Sequence, residues 1–138
     1  MKIGQSTSFL KYQGCLITAL CMVYSKWHPP YYPSQATKEW KFSGNLLDWF
    51  TDFKGMKFVE RVWSYDNDTV RKLVKDGFGV VIQVQTKSGV HWLAVWDWGY
   101  QNKPVVHDPW DARVLYNPWG ILGRYVRPLG YAVLKKCS

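Results

Sequence analysis

Three residues of the sequence could together perform nucleophilic chemistry: Cys15, His91 and Asp108. A cysteine thiol can attack a carbonyl carbon, an imidazole can accept and return the proton, and a carboxylate can orient the imidazole. Each residue type also has an ordinary structural role. A free cysteine among apolar residues is often a small buried hydrophobe, and an aspartate before a proline often belongs to a turn. The position of each residue along the chain therefore has to support the chemical interpretation.

Cys15 is expected at the start of a buried helix. The apolar residues after it recur at the spacing of one helix face: Leu16, Ala19, Leu20, Val23 and Trp27. The pair Pro29-Pro30 is expected to end this helix. With Gly14-Cys15 in the first turn, free backbone N–H groups and the positive end of the helix dipole would favour a thiolate. Cys21, in the middle of the same helix, is interpreted as a packing residue.

His91 is expected on a strand close to the loop of a β-hairpin. Residues 90–97 alternate in polarity, and the strand before them is joined to them through the short glycine-containing loop 86–89. A rigid sheet could then present His91 to a neighbouring helix. The alternative is a half-buried histidine with a backbone partner. Asp108 ends the next predicted strand, 104–108, which Pro109 interrupts.

Three segments together have the pattern of a known family. They are residues 2–23 with their glycine-cysteine pair, residues 79–92 with a Gly-x-His-Trp motif, and residues 106–110 with an Asp-Pro pair. In this order they resemble the cysteine, histidine and aspartate regions of the C39-like peptidases, a branch of the papain-like cysteine peptidase superfamily. The resemblance implies that Cys15 is the nucleophile, His91 the general base and acid, and Asp108 the residue that orients His91.

The same resemblance implies an oxyanion hole, to which a glutamine upstream of the cysteine contributes its side-chain amide. Gln5 and Gln13 precede Cys15, and neither has the spacing that is usual in the family. Gln5 is favoured, because the segment after it is long enough to return its side chain to the helix start, whereas Gln13 is constrained by Gly14. Losing one oxyanion donor can cost on the order of 100- to 1000-fold in rate. A weak or inactive papain-like module that binds a peptide, a protein or an envelope partner is therefore the alternative.

The aromatic residues and the net charge of the chain lead to expectations about its binding partners. The chain has nine Trp and nine Tyr, most of which are expected to pack in the sheet, while Trp92 and Trp110 are expected to line a substrate groove. The net charge of +8 is scattered and is compatible with an anionic envelope polymer. No nucleic-acid recognition motif is present, so no nucleic acid partner is expected.

The cysteines and histidines predict neither a metal site nor a cofactor. Three cysteines cannot all pair within one chain, and their spacing relative to the three histidines matches no zinc ligand set. Reduced cysteines are the simpler expectation, and pairing of Cys21 with Cys137 stays open. The apolar run after Cys15 lacks a cleavage site of small residues, so no secretory signal is predicted, and no apolar stretch has transmembrane length.

The 138 residues predict a single α+β domain, 1–138, with an N-terminal helical half packed on a C-terminal antiparallel β-sheet and a site between them. Further helices are predicted at 34–41 with Ser34 as cap, at 46–54 with Asn45 as cap, and at 69–75. Strands are predicted at 56–63, 80–85, 90–98, 105–107, 113–116 and 131–134.

The resemblance implies the papain-like fold and a cysteine peptidase that cleaves peptide bonds. Members of the family include exporter-linked processing peptidases and envelope hydrolases of bacteria and their phages. A stand-alone basic domain favours the second group, with peptidoglycan stem peptides as the first expected substrate.

Overall fold

The computed structural model describes residues 7–44, 46–116, 118–119 and 123–137, with the backbone alone for residues 7–13 and 100. The helices are α1 (Thr7–Tyr24), α2 (Pro33–Glu39) and α3 (Asn67–Lys75), together with a short 3-10 helix (Tyr100–Asn102). The strands are β1 (Phe42–Ser43), β2 (Leu46–Leu47), β3 (Met56–Val62), β4 (Gly79–Thr86), β5 (Gly89–Trp98), β6 (Pro104–His107), β7 (Val114–Leu115) and β8 (Arg127–Lys136).

Six of the strands form one sheet in the order β3-β8-β4-β5-β6-β7, and every neighbouring pair is antiparallel. The last strand of the chain, β8, therefore runs between β3 and β4. Strands β1 and β2 form a separate antiparallel pair. The predicted α+β class is confirmed, since the N-terminal helices pack on a six-stranded antiparallel sheet.

The two faces of the sheet contact different helices, because successive residues of a strand point to opposite sides. Val81 of β4 packs in the cluster that contains the buried side of α1, whereas Val80 and Ile82 pack in the cluster that contains Val70 of α3. Gly79 of β4 allows α1 to lie close to this face of the sheet, because glycine has no side chain. A Cβ atom added at Gly79 would lie 2.4 Å from a side-chain carbon of Val23.

The structure corrects the predicted start of α1. The helix begins at Thr7, so that Gly14 and Cys15 lie in its interior. A glycine within a helix costs only about 1 kcal/mol relative to alanine. Since no proline lies between Thr7 and Cys15, nothing in the sequence stops the helix from extending upstream of Gly14.

The predicted helix at 46–54 is also wrong, and Asn45, its predicted cap, lies outside the described residues. Leu46–Leu47 forms β2, and turns follow it. The carboxylate of Asp48 accepts a hydrogen bond of 2.9 Å from the backbone N–H of Phe50, and that of Asp52 accepts one of 2.8 Å from Lys54. Such local bonds between side chain and backbone stabilise turns at the expense of a helix.

The starts of the other two helices also differ from the predictions. Tyr32, not Ser34, is the cap of α2, which begins with Pro33. The cap of α3 is Asp66, whose carboxylate accepts a hydrogen bond of 3.0 Å from the backbone N–H of Thr69. Both helices therefore begin slightly earlier than their predicted starts.

Candidate active site

Cys15 is the ninth residue of the 18-residue helix α1, and its side chain is partly exposed. In the interior of a helix the backbone N–H groups bond to carbonyl groups four residues earlier, and the dipole acts mainly at the terminal turns. The expected activation of Cys15 by a helix N-terminus is therefore wrong. Activation of this thiol has to come from neighbouring side chains.

His91 lies on β5, three positions from the hairpin loop, opposite Val84 of β4. This is the position that the sequence predicted for it. The side chain is only 7% exposed, its ring is hydrogen-bonded to Asp108, and it is close enough to the Cys15 side chain for the thiol to raise the pKa of His91. Since the Nε2 atom of His91 contacts Asp108, the ring nitrogen that remains for Cys15 is Nδ1. The structure thus brings together the thiol, the imidazole and the carboxylate in the predicted order.

Asp108 directly follows β6 and is 2% exposed. Its Oδ1 atom lies 2.7 Å from Nε2 of His91 and accepts a hydrogen bond of 2.8 Å from the backbone N–H of Trp110. Its Oδ2 atom accepts a hydrogen bond of 2.8 Å from Nη1 of Arg124 and another from the hydroxyl of Tyr125. Both oxygens of this buried carboxylate are therefore fully engaged.

These contacts set the charge states of the site. Burial by itself lowers the pKa of His91, but its hydrogen bonds and its attraction to Cys15 and Asp108 outweigh burial and raise the pKa to about 9. Burial likewise raises the pKa of Asp108, but hydrogen bonds from His91, Tyr125 and Trp110 hold the pKa of this carboxyl well below its usual range. At neutral pH the site therefore contains an imidazolium next to a carboxylate, and the Cys15 side chain also favours the charged form of the ring.

The two tryptophans predicted to contact substrate have different environments. Trp110 is 82% exposed, and its ring meets that of His91 edge to face with 6.0 Å between centroids. Trp92 is 6% exposed and packs in the α1 core cluster, with its ring 6.3 Å from that of Trp49. Of the two, Trp110 offers an open surface beside the site, whereas Trp92 is a core residue on the face of the sheet that packs on α1.

Of the two glutamines predicted for the oxyanion hole, one lies in the part of the backbone that the structure describes. Gln5 lies outside the described residues. Gln13 belongs to α1, two residues before Cys15. Positions two apart on a helix are about 200° apart around its axis and do not face each other.

The chain has three cysteines, of which Cys15 and Cys137 are partly buried and Cys21 is buried. All three are free, and no disulfide joins Cys21 to Cys137. Cys21 is buried, which raises the pKa of its thiol to about 12. In the described part of the chain, no group of three His, Cys, Asp or Glu side chains is arranged to hold a metal ion.

Arg124 and Tyr125 are the residues of the site that the sequence did not indicate. They lie in an irregular segment between Gly123 and β8, well separated in sequence from Asp108. No periodicity or motif connects them to the aspartate. In the structure Tyr125 is buried, with 4% exposure, although it lies outside the long strands.

Comparison with models of known families gives no match, and neither curated proteins nor solved structures match the chain. Of the helices among the described residues, none is both long enough and apolar enough to span a membrane.

Proposed function

We propose that the protein is a cysteine peptidase of the C39-like type, built on the papain-like fold. The observation that supports this most is that the ring of His91 is hydrogen-bonded to Asp108 and also interacts with the Cys15 side chain. A nucleophile within reach of a base, which is itself oriented by a third group, is the general arrangement of covalent hydrolases. The order of the three residues along the chain agrees with the family resemblance.

In the proposed reaction Cys15 attacks the carbonyl carbon of a peptide bond as a thiolate. A C–S bond forms, and the C–N bond breaks as His91 gives its proton to the leaving amine. Water then attacks the thioester, giving one proton to His91, and the C–S bond breaks to release the carboxylic acid. Asp108 keeps the imidazole in place and stabilises its positive form throughout.

Peptidoglycan stem peptides are the proposed substrate class. The formal net charge of +8 favours approach to anionic envelope polymers, among which such peptides occur. The exposed ring of Trp110 beside His91 offers an apolar surface for a substrate side chain.

One observation favours a second function, that of a module that binds a peptide or an envelope partner without cleaving it. The backbone N–H of Cys15 lies inside α1, where the helix itself occupies it, so this N–H cannot also stabilise an oxyanion. An oxyanion hole then needs donors from side chains, and without them the rate would be lower by roughly 100-fold or more.

Incubation with substrate mixtures separates these functions. The full chain, a Cys15→Ala variant and a Cys137→Ala control are each incubated with a complex peptide mixture and with purified peptidoglycan, and new amino termini are counted by mass spectrometry. Cys137 is the matched control because it is also free and partly buried. A peptidase predicts new termini with the parent and the Cys137→Ala variant, and none with Cys15→Ala.

Equal cleavage by the Cys15→Ala variant would contradict the proposed role of the thiol. Absence of cleavage by all three proteins, with equal retention of peptidoglycan by the parent and the Cys15→Ala variant, would instead support the binding module.

A further inference from the structure

The Asp108 carboxylate receives two hydrogen bonds on each oxygen, and two of the four donors are side chains with no role in the proposed reaction. Arg124 and Tyr125 both donate to Oδ2, the oxygen that faces away from His91. Their hydrogen bonds act on the reacting groups through Asp108.

We infer that Arg124 and Tyr125 are positioning residues, which hold Oδ2 of Asp108 so that Oδ1 stays directed at Nε2 of His91. The catalytic meaning of this inference rests on the proposed function, whereas the control that the pair exerts on His91 can be measured without any substrate.

The torsion that turns an aspartate carboxylate is soft. Rotation about χ2 of Asp has broad, roughly two-fold preferences, so hydrogen bonds have to select one orientation. The backbone N–H of Trp110 and the ring of His91 bind Oδ1, and the donors on Oδ2 complete the selection. Removing them would leave an unsatisfied, buried carboxylate oxygen, which favours rotation or protonation of the group.

Tyr125 contacts both partners of the His91–Asp108 pair. Its hydroxyl donates to Asp108, and its ring is tilted against the His91 ring with 6.2 Å between centroids. The backbone around it is anchored, since the N–H of Tyr125 bonds to the carbonyl of Pro118 and that of Val126 bonds to Gln85 of β4, both at 2.9 Å. The hydroxyl is therefore fixed relative to the sheet that supports His91.

Arg124 connects Asp108 to the surface. Its Nη1 atom binds Oδ2 of Asp108 at 2.8 Å, and its Nη2 atom binds a carboxylate oxygen of Asp111 at 3.0 Å. The two terminal nitrogens of the guanidinium thus contact different carboxylates, and Asp111 holds the guanidinium from the solvent side. The titratable or charged groups that surround His91 are Cys15, Asp108 and Tyr125, with Arg124 and Asp111 beyond Asp108.

Two interpretations of Arg124 predict opposite changes at His91. If Arg124 acts only as a charge, its removal strengthens the negative field of Asp108 and raises the pKa of His91. If it acts by position, its removal lets Asp108 leave Nε2, and the pKa of His91 falls from about 9 toward the ordinary 6.5. The sign of the change therefore decides between them.

The experiment follows the ring signals of His91 by NMR during a pH titration of the full chain. The variants are Tyr125→Phe, Arg124→Met and Arg124→Lys, each checked for cooperative thermal unfolding. The controls are Tyr116→Phe, which removes an exposed hydroxyl, and Arg127→Gln, which removes an exposed positive charge at the start of β8. Positioning predicts a lower His91 pKa in Tyr125→Phe and Arg124→Met, recovery in Arg124→Lys, and no change in either control.

An unchanged or higher pKa in both folded variants would overturn the inference. Tyr125→Phe preserves shape, so it keeps the test valid if Arg124→Met fails to fold. A second measurement uses alkylation of Cys15 by iodoacetamide at pH 7, which should slow by roughly tenfold in the variants. Because neither measurement needs peptide cleavage, a protein that cleaves nothing but shows these changes would contradict the proposed function and leave the positioning role supported.

Discussion

The Nε2 atom of His91 lies 2.7 Å from Oδ1 of Asp108, and both side chains are buried. A buried pair of opposite charges links the stability of the fold to pH, because each group has a different pKa in the folded and unfolded chain. The pKa of His91 is raised from 6.5 to about 9, and that of Asp108 is lowered from 3.8.

The free energy of unfolding should therefore fall at alkaline pH. The contribution of His91 is fully present below pH 6.5 and is lost as the pH rises through 9, since the folded chain binds the proton more tightly. The contribution of Asp108 is present above about pH 4 and is lost as the pH falls through its lowered folded value. The loss between pH 6.5 and 9 should be on the order of 3 kcal/mol. Urea unfolding at a series of pH values measures it.

A His91→Gln variant is the control for this pH dependence. Glutamine can still donate a hydrogen bond to Asp108 but does not titrate, so the decrease between pH 6.5 and 9 should disappear. A decrease of the same size in this variant would assign the effect to another group.

Cys15 should be alkylated before the other two cysteines. It lies beside a positively charged imidazole at neutral pH, whereas Cys21 is buried and the pKa of its thiol is raised to about 12. Limiting iodoacetamide at pH 7, followed by peptide mass mapping, should show modification of Cys15 at least about tenfold faster than that of Cys21 or Cys137. Equal rates for Cys15 and Cys137 would count against an activated Cys15, and a His91→Ala variant should remove the difference between these two thiols.

The sequence predicted the architecture where apolar periodicity was long and uninterrupted. The alternating residues of β4 and β5 placed His91 near the hairpin loop, and α1 was recognised from its buried face. The helix start was missed because the prediction followed the apolar spacing that begins at Leu16, and Gly14 only weakly opposes a helix. The prediction for residues 46–54 failed because turn-forming bonds of Asp48 and Asp52 compete with a helix.

Long-range contacts account for what the sequence did not reveal about the site. Strand β8 was predicted too short, since Pro128 and Gly130 weaken a strand pattern. In the structure the pairing with β4 shifts register between these residues, and a Cβ atom at Gly130 would lie 2.5 Å from the Val62 carbonyl oxygen. Arg124 and Tyr125 lie just before β8, and their contact with Asp108 depends on the place of β8 between β3 and β4, so no local pattern could associate them.

Trp110 and Trp92 should respond differently to replacement by alanine. Trp110 is exposed beside His91, so Trp110→Ala should leave stability within about 0.5 kcal/mol and raise KM for a cleaved peptide several-fold with kcat unchanged. Trp92 is buried, so Trp92→Ala should cost about 3–5 kcal/mol. Thermal unfolding and steady-state kinetics measure both. A Trp110→Ala variant with unchanged KM would show that this ring contacts no substrate.

Gln5→Ala should lower turnover, whereas Gln13→Ala should not. Since the backbone N–H of Cys15 lies within α1, an oxyanion has to be stabilised by side-chain donors, and Gln13 lies about 200° from Cys15 around the helix axis. Loss of a single oxyanion donor lowers kcat by roughly 100-fold or more and leaves folding intact. The measurement is kcat for both variants on a peptide that the parent cleaves, with circular dichroism as the check on folding. A large loss in Gln13→Ala with none in Gln5→Ala would mean that α1 begins closer to Cys15 in the active protein, and equal activity of both variants would mean that another group supplies the donor.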